Sequence, residues 1–181
     1  MPLDYPNPIL ESPRILLRAW SLDDLACVAE AATDPDIPRG TTVPAVYTEL
    51  AGRAWIERQW SRQTTGQGLS LAVVEVESQR AVGLVFLGLR PIEGHCEIGY
   101  WLVPSARERG LGTEAVGLAS RWVLTTTAVY RLYALVEPHN EASLGVLSKC
   151  AFASEGTLRS YLKFDDGVHD AMVLSLLEGD V

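Results

Sequence analysis

Seven residues, Arg107-Glu108-Arg109-Gly110-Leu111-Gly112-Thr113, lie between an apolar strand pattern and an amphipathic helix pattern, and they are the part of the chain best suited to chemistry. A loop that runs into a helix N-terminus is an anion site. The first N–H groups of a helix lack intrahelical partners, and the helix dipole adds partial positive charge there. Gly110 and Gly112 place no side chain between those groups and a phosphate, and glycine accepts positive φ. A phosphate-bearing molecule is therefore the expected ligand.

Three glycine signatures compete for this segment. The mononucleotide loop needs a lysine before its hydroxyl residue, and Gly112-Thr113 has none. The dinucleotide fingerprint G-x-G-x-x-G/A is met by Gly110 to Ala115, and Glu137 supplies an acidic residue further on. Arg107 to Gly112 also matches Arg/Gln-x-x-Gly-x-Gly/Ala, which resembles the acetyl-CoA loop of the GNAT N-acetyltransferase superfamily. Context favours the last. Pro104 to Arg109 intervene after the strand ending near Val103, making a wider loop than the tight dinucleotide turn. The segment also lies past mid-chain, with too little sequence behind it for a second nucleotide-binding half.

The elements that must hold this loop can be read from periodicity and turn chemistry. Arg14 to Trp20 is a strand, and Ser21 caps a helix starting near Leu22 with Asp23 and Asp24 in its first turn. Pro35, Pro38, Gly40 and Pro44 mark an irregular loop, and helical composition returns from about Thr48 to Gln63. Leu69–Glu77 and Ala81–Arg90 read as a hairpin about Ser78-Gln79-Arg80, and Cys96–Val103 as the strand before the glycine loop. Ala115, Val116, Ala119, Trp122 and Val123 give the following helix one apolar face. Arg131–Val136 is a buried strand, Pro138-His139-Asn140 breaks the chain, and Glu141–Lys149 is a helix. Phe152–Tyr161 and Asp170–Leu176 close as strands about Asp165-Asp166-Gly167. The expectation is an α/β mixed sheet of about seven strands with about four helices, in a single domain over residues 1–181.

Bulk composition agrees with an enzyme of that size. The 181 residues are 48% hydrophobic, enough for one well-buried core. A formal net charge of −8 argues against nucleic acid as a partner and fits a cytoplasmic protein. Cys27, Cys96 and Cys150 are odd in number and far apart, so they read as reduced thiols. They and His95, His139 and His169 lack metal-ligand spacing, so no metal is expected. No apolar run approaches the roughly 20 residues of a membrane span.

The resemblance extends beyond the loop. Ser12-Pro13-Arg14-Ile15-Leu16-Leu17-Arg18-Ala19-Trp20 followed by Asp23-Asp24-Leu25 is similar to the opening of RimJ/RimL-type acetyltransferases. Glu97 to Leu102 resembles their central strand, and Asn140-Glu141-Ala142-Ser143 through Phe152 their Asn-x-x-Ser…Glu-Lys-x-Gly-Phe segment. Ser148 and Ala151 depart from that pattern, where the family has Glu and Gly. The resemblance implies a GNAT-like fold with a centrally splayed sheet, and direct acetyl transfer from the acetyl-CoA thioester to a primary amine. It implies that Glu97–Val103 and Arg131–Val136 splay around the pantetheine, held by main-chain groups of Trp101, Leu102 and Val103. The pyrophosphate would lie on Arg107, Glu108, Arg109, Gly110, Leu111, Gly112 and Thr113, with Asn140 and Ser143 also contacting the cofactor.

For catalysis, the resemblance places Ser143 near the sulfur as the acid, because the family's more common tyrosine position is Leu147 here. A serine in a first helical turn also bonds locally without any catalytic duty. Glu97, a carboxylate on an apolar strand, is the leading base, against the plain alternative of an arginine-paired strand residue; Glu137 and His139 are rivals. Lys149 is a candidate for the CoA 3′-phosphate, and Trp55, Trp60 and Trp101 for the acceptor cleft. The acceptor is a protein N-terminal α-amine or a small-molecule amine, its pocket drawn from about Ala32 to Gln63 and Arg159 to His169. A homodimer is compatible with this reading. A non-catalytic acyl-CoA sensor and a dinucleotide-dependent oxidoreductase remain as alternatives.

Overall fold

The computed structural model describes residues 8–90 and 92–181. The elements run β1 (Leu10–Glu11), β2 (Ile15–Ala19), α1 (Leu25–Ala31), α2 (Asp36–Gly40), α3 (Glu49–Thr64), β3 (Gly68–Glu75) and β4 (Arg80–Leu89). They continue as β5 (His95–Leu102), α4 (Leu111–Thr126), β6 (Arg131–Val136), α5 (Glu141–Lys149), β7 (Ala153–Phe164) and β8 (Gly167–Leu177). Short 3-10 turns cover Leu22–Asp24, Pro104–Ala106 and Glu178–Asp180. All eight strands form one sheet in the order β1-β2-β3-β4-β5-β6-β8-β7. The strand beyond the expected seven is β1, two residues paired antiparallel to β2.

Local chemistry explains the boundaries. At the chain's first helical turn, the Ser21 hydroxyl accepts from the Asp23 N–H while the Asp24 carboxylate accepts from the Ser21 N–H. Arg18 grips the same Asp24 carboxylate with two nitrogens at 2.7 and 2.9 Å, tying β2 to this cap. Thr48 caps α3 by accepting from Ala51. The proline-marked stretch read as irregular contains α2. Asp34 Oδ1 accepts from the N–H groups of both Asp36 and Ile37 at 3.0 Å, and Pro38 falls in the first turn, where no N–H is required.

Each residue of β3 is buried, as expected where helices cover both faces, whereas β7 at the edge of the sheet is exposed along most of its length. Side chains alternate along β5, so Tyr100 and Trp101 point to opposite faces. Trp101 meets Trp55 of α3 and Trp20 with ring centroids 6.2 Å apart, and Trp20 stands edge-on to Trp55 at 4.8 Å. Tyr100 reaches Ser143 of α5 on the other face. The three tryptophans are buried and form core. Trp55 and Trp101 therefore do not line an open acceptor cleft, and Trp60, half exposed, donates its indole N–H to the Trp20 carbonyl.

One pairing in the sheet is parallel. β5 and β6 pair through His95–Arg131, Cys96–Leu132 and Glu97–Tyr133 only. Past that point β5 stays with β4 as far as Leu102, and β6 stays with β8 as far as Val136. The two central strands therefore part after Glu97 and Tyr133 and leave a wedge between them, the splay that the sequence resemblance implied.

Candidate active site

The wedge opens toward the C-terminal ends of β5 and β6, where the glycine loop and the N-terminus of α5 follow in sequence. Along β5 the main-chain groups alternate in direction as the side chains do. The Val103 N–H donates to the Val82 carbonyl at 2.9 Å, and the Trp101 carbonyl oxygen would lie 2.3 Å from a Cβ placed on Gly83. Trp101 and Val103 thus face β4. The Val103 carbonyl is also taken, by the Ala106 N–H. This corrects the expectation that all three residues Trp101, Leu102 and Val103 present main chain to the wedge. Leu102 and, two residues earlier, Tyr100 do so, and the Leu102 carbonyl accepts from Arg107 Nε at 3.1 Å.

The glycine loop is held from outside. Arg107 pairs with buried Asp34 at 2.8 Å, and Arg109 pairs with Glu75 at the end of β3. Arg14, just before β2, donates to the Arg109 carbonyl at 2.9 Å and to the Glu114 carboxylate at 2.7 Å. The two arginine side chains of the loop are therefore engaged with protein carboxylates, and Glu108 is exposed. What the loop offers a ligand is backbone. Gly110, with φ of 78°, is the N-cap of α4 and gives it no side-chain cap. The helical ladder starts with the Glu114 N–H on the Gly110 carbonyl, so the N–H groups of Leu111, Gly112 and Thr113 precede it. A Cβ on Gly112 would stand 3.5 Å from Leu102 and 3.8 Å from Val146, so this glycine sits between the end of β5 and α5. A phosphate chain on this loop and a pantetheine arm in the wedge fit the donors present.

Asn140 is the N-cap of α5, its side-chain oxygen accepting from the Ser143 N–H at 3.0 Å. Ser143 Oγ lies 2.7 Å from the Tyr100 hydroxyl, which also reaches the Ser143 carbonyl at 3.0 Å. Burial pushes Tyr100 up to about 12, so the phenol keeps its proton. Tyr100 was missed in the sequence. It sits inside the quoted Glu97–Leu102 strand, and only the spacing of α5 against β5 brings it to Ser143. Leu147, in the family's tyrosine position, is fully buried core.

Glu97 is the last paired residue before the strands part, and its carboxylate forms an ion pair with Arg90. The arginine-paired arrangement is therefore the one adopted. Glu137, one residue past β6, accepts from Arg39 of α2 at 2.6 and 3.1 Å, and that guanidinium holds the Glu137 carboxyl below the usual range. Arg39 also binds Asp166 in the β7–β8 turn at 2.8 Å and lies 4.2 Å from the Phe164 ring centroid. His139 and Lys149 are exposed. Cys27 and Cys96 are buried and Cys150 half-buried, all three free, with burial raising each thiol. Among the described residues, no cluster of three or more His, Cys, Asp or Glu side chains could hold a metal ion, and no helix is long and apolar enough to cross a membrane.

A sheet parted at its one parallel pair, with a glycine loop and a capped serine at the open end, defines a group-transfer enzyme of the acyl-CoA type. The chain belongs to the GNAT acetyltransferase family. Residues 14–153 match the model described as acetyltransferase (GNAT) domain. It is 26% identical over 170 residues to an uncharacterized N-acetyltransferase, p20, of Bacillus licheniformis, covering 93% of this chain and 96% of that one. Over 85 residues, 47% of this chain and 44% of the relative, it is 31% identical to the [ribosomal protein uS5]-alanine N-acetyltransferase of Escherichia coli K12. The fold matches that of Mycobacterium smegmatis RimJ in complex with CoA-disulfide with a TM-score of 0.82 at 20% identity, covering 97% of this chain and 88% of that one. The protein is thus an N-acetyltransferase, and the dinucleotide reading of the glycine loop falls away.

Proposed function

We propose that this enzyme transfers an acetyl group from acetyl-CoA to a primary amine, with a peptide N-terminal α-amine as the first acceptor class. The observation that carries the donor assignment is the parting of β5 and β6 directly below the glycine loop. A pantetheine arm laid in the wedge would extend the sheet through Tyr100 and Leu102, and the pyrophosphate would take the N–H groups of Leu111, Gly112 and Thr113. The acceptor class rests on the uS5-alanine relative, and the cytoplasm is the setting it assumes.

In the reaction, the amine nitrogen bonds to the thioester carbon, the C–S bond breaks, the amine gives up a proton and the sulfur takes one. Holding both reactants in one cleft removes the cost of a bimolecular encounter. Ser143 Oγ–H is the donor assigned to the departing sulfur, with Tyr100 fixing its orientation. The single phenol hydrogen goes either to the Ser143 carbonyl or to Ser143 Oγ, and in the second arrangement the serine hydrogen is free for the sulfur. Glu97, at the apex of the wedge and oriented by Arg90, is the carboxylate assigned to the amine's proton. Asn140 contributes by setting the first turn of α5.

The test is direct. Acetyl-CoA turnover is measured against peptides with free N-termini and against polyamines and other small amines, alongside binding of acetyl-CoA and NADH. Turnover on peptides is the expected result. Acetyl-CoA binding without turnover on any amine would favour the non-catalytic sensor, and turnover confined to small amines would remove the peptide acceptor.

A further inference from the structure

The opening segment that resembles RimJ/RimL-type enzymes contributes Ser12 and Arg14, and neither has a part in the transfer chemistry. Both converge on Glu114, about 100 residues away in sequence and in the first turn of α4. Ser12 Oγ donates to Glu114 Oε1, and the Arg14 guanidinium forks onto Glu114 Oε2 through Nε and Nη2. The third guanidinium nitrogen, Nη1, donates to the Arg109 carbonyl at 2.9 Å. A Cβ on Gly110 would lie 3.5 Å from Nη2, so the guanidinium lies against the left-handed residue that opens the helix.

A carboxylate one turn into a helix is favourable for the bare helix, but repels an anion bound at the same N-terminus. Left alone, Glu114 would oppose a phosphate on the Gly110–Thr113 backbone. Bound to Ser12 and Arg14, it is neutralised and drawn toward β2. The Arg109 carbonyl is a second source of negative potential at the loop, and Nη1 turns it toward β2 as well. The planar guanidinium spreads its donors over three nitrogens and so spans both acceptors in one fixed plane, where an ammonium offers a single nitrogen.

We infer that Arg14 is the positioning residue of the phosphate loop: it withdraws the Glu114 carboxylate and the Arg109 carbonyl from the anion site so that the loop's N–H groups face the CoA pyrophosphate. This rests on the donor reading above, and the experiment separates the two. CoA and acetyl-pantetheine, which lacks the phosphates, are titrated into the full-length protein and its Arg14→Ala and Arg14→Lys variants by calorimetry, with unfolding of each unliganded variant followed by circular dichroism. The expected result is about a tenfold weaker CoA affinity in Arg14→Ala, the scale of one charge-assisted hydrogen bond, with acetyl-pantetheine affinity unchanged and no recovery in Arg14→Lys. If the unaltered protein does not bind CoA, the donor reading fails. If it binds CoA and Arg14→Ala binds equally well, or loses acetyl-pantetheine in the same proportion, the positioning role is overturned. Full recovery in Arg14→Lys would also overturn it, leaving Arg14 as simple positive charge.

Discussion

Replacing Tyr100 by Phe tests whether the Tyr100–Ser143 pair serves the leaving sulfur. The change deletes one oxygen, which lies 2.7 Å from Ser143 Oγ and 3.0 Å from the Ser143 carbonyl. On stability the cost is about 1 kcal/mol, because Ser143 is only half-buried and water can replace the lost partner. That corresponds to a fall in Tm of roughly 2–4 °C for a protein of this size. On catalysis the expected effect is larger. A positioned donor to a developing anion is worth about 10²–10³ in kcat, and a thiolate, diffuse and a fair leaving group, belongs at the low end. The expectation is therefore about a 100-fold loss of kcat, or about 2.7 kcal/mol on the barrier. Ser143→Ala should fall by a similar factor, and the double variant by no more than the worse single one, since the two hydroxyls act as a unit. The assay is release of free CoA thiol at saturating acetyl-CoA with the best amine of the panel, with kcat and KM resolved. Losses that multiply to about 10⁴ in the double variant, or that appear only in KM, would refute the pairing.

Three further outcomes follow from local geometry. Gly112→Asp should retain the fold, because its Cβ meets neighbours only at ordinary contact distances. It should abolish CoA binding by calorimetry, since it sets a carboxylate on the phosphate site; retained affinity would move that site elsewhere. Ala151→Gly should raise Tm by roughly 2–4 °C, because Ala151 stands at φ of 64°, a left-handed conformation worth about 1 kcal/mol to glycine over alanine. An unchanged thermal melt would show that the turn absorbs the strain. Hydrogen bonds from Arg131 and then Ser175 hold Glu155 down to about 2, so its contribution to stability is present above the ordinary carboxylate range and is lost as pH falls toward 2. Acid unfolding should therefore be shallower between about pH 4.5 and 2 in Glu155→Gln than in the unaltered protein. Identical acid limbs would show that solvent screening leaves the pair worth nothing.

The elements of this fold were legible where one local rule decides them. Apolar runs bounded by turn residues mark the inner strands, Ser21 and Thr48 mark helix starts, and Pro138-His139-Asn140 marks the break before α5. α2 was hidden because a proline-rich stretch reads as loop until Asp34 is seen to cap it. The departure at Ala151 was visible, and the structure supplies its consequence. The Ala151 N–H bonds the Ser148 carbonyl and the Phe152 N–H bonds the Leu147 carbonyl, the paired closure that asks for a left-handed residue between them. At the proposed site, the glycine loop stands out in the sequence because backbone recognition depends on where side chains are missing. Tyr100–Ser143, Arg14–Glu114 and Arg39–Glu137 could not, since each joins elements distant in sequence and a single chain gives no register between them.

That division has a physical cause that also explains why the donor is easier to identify than the acceptor. The sites proposed for a pantetheine arm and a pyrophosphate are main chain: the wedge between β5 and β6, and N–H groups ahead of the α4 ladder. Such a site constrains glycine positions and strand pairing but few side chains, so it leaves a compact signature in sequence. The proposed acceptor side consists instead of side chains on α2, the residue after β6, and the β7–β8 turn. Arg39 there is already bound to Glu137 and Asp166 and stacked on Phe164. An amine entering beside this group meets two carboxylates whose charge is shared with a guanidinium. Selectivity then depends on how the acceptor's own charge competes with Arg39. A polyamine brings ammonium groups that titrate near the lysine value of about 10.4, whereas a peptide α-amine titrates at about 7.7–8.0 and gives up its proton at a lower cost. That lower cost is a physical reason, beside the uS5-alanine relative, for testing peptide amines ahead of polyamines as the proposed acceptor.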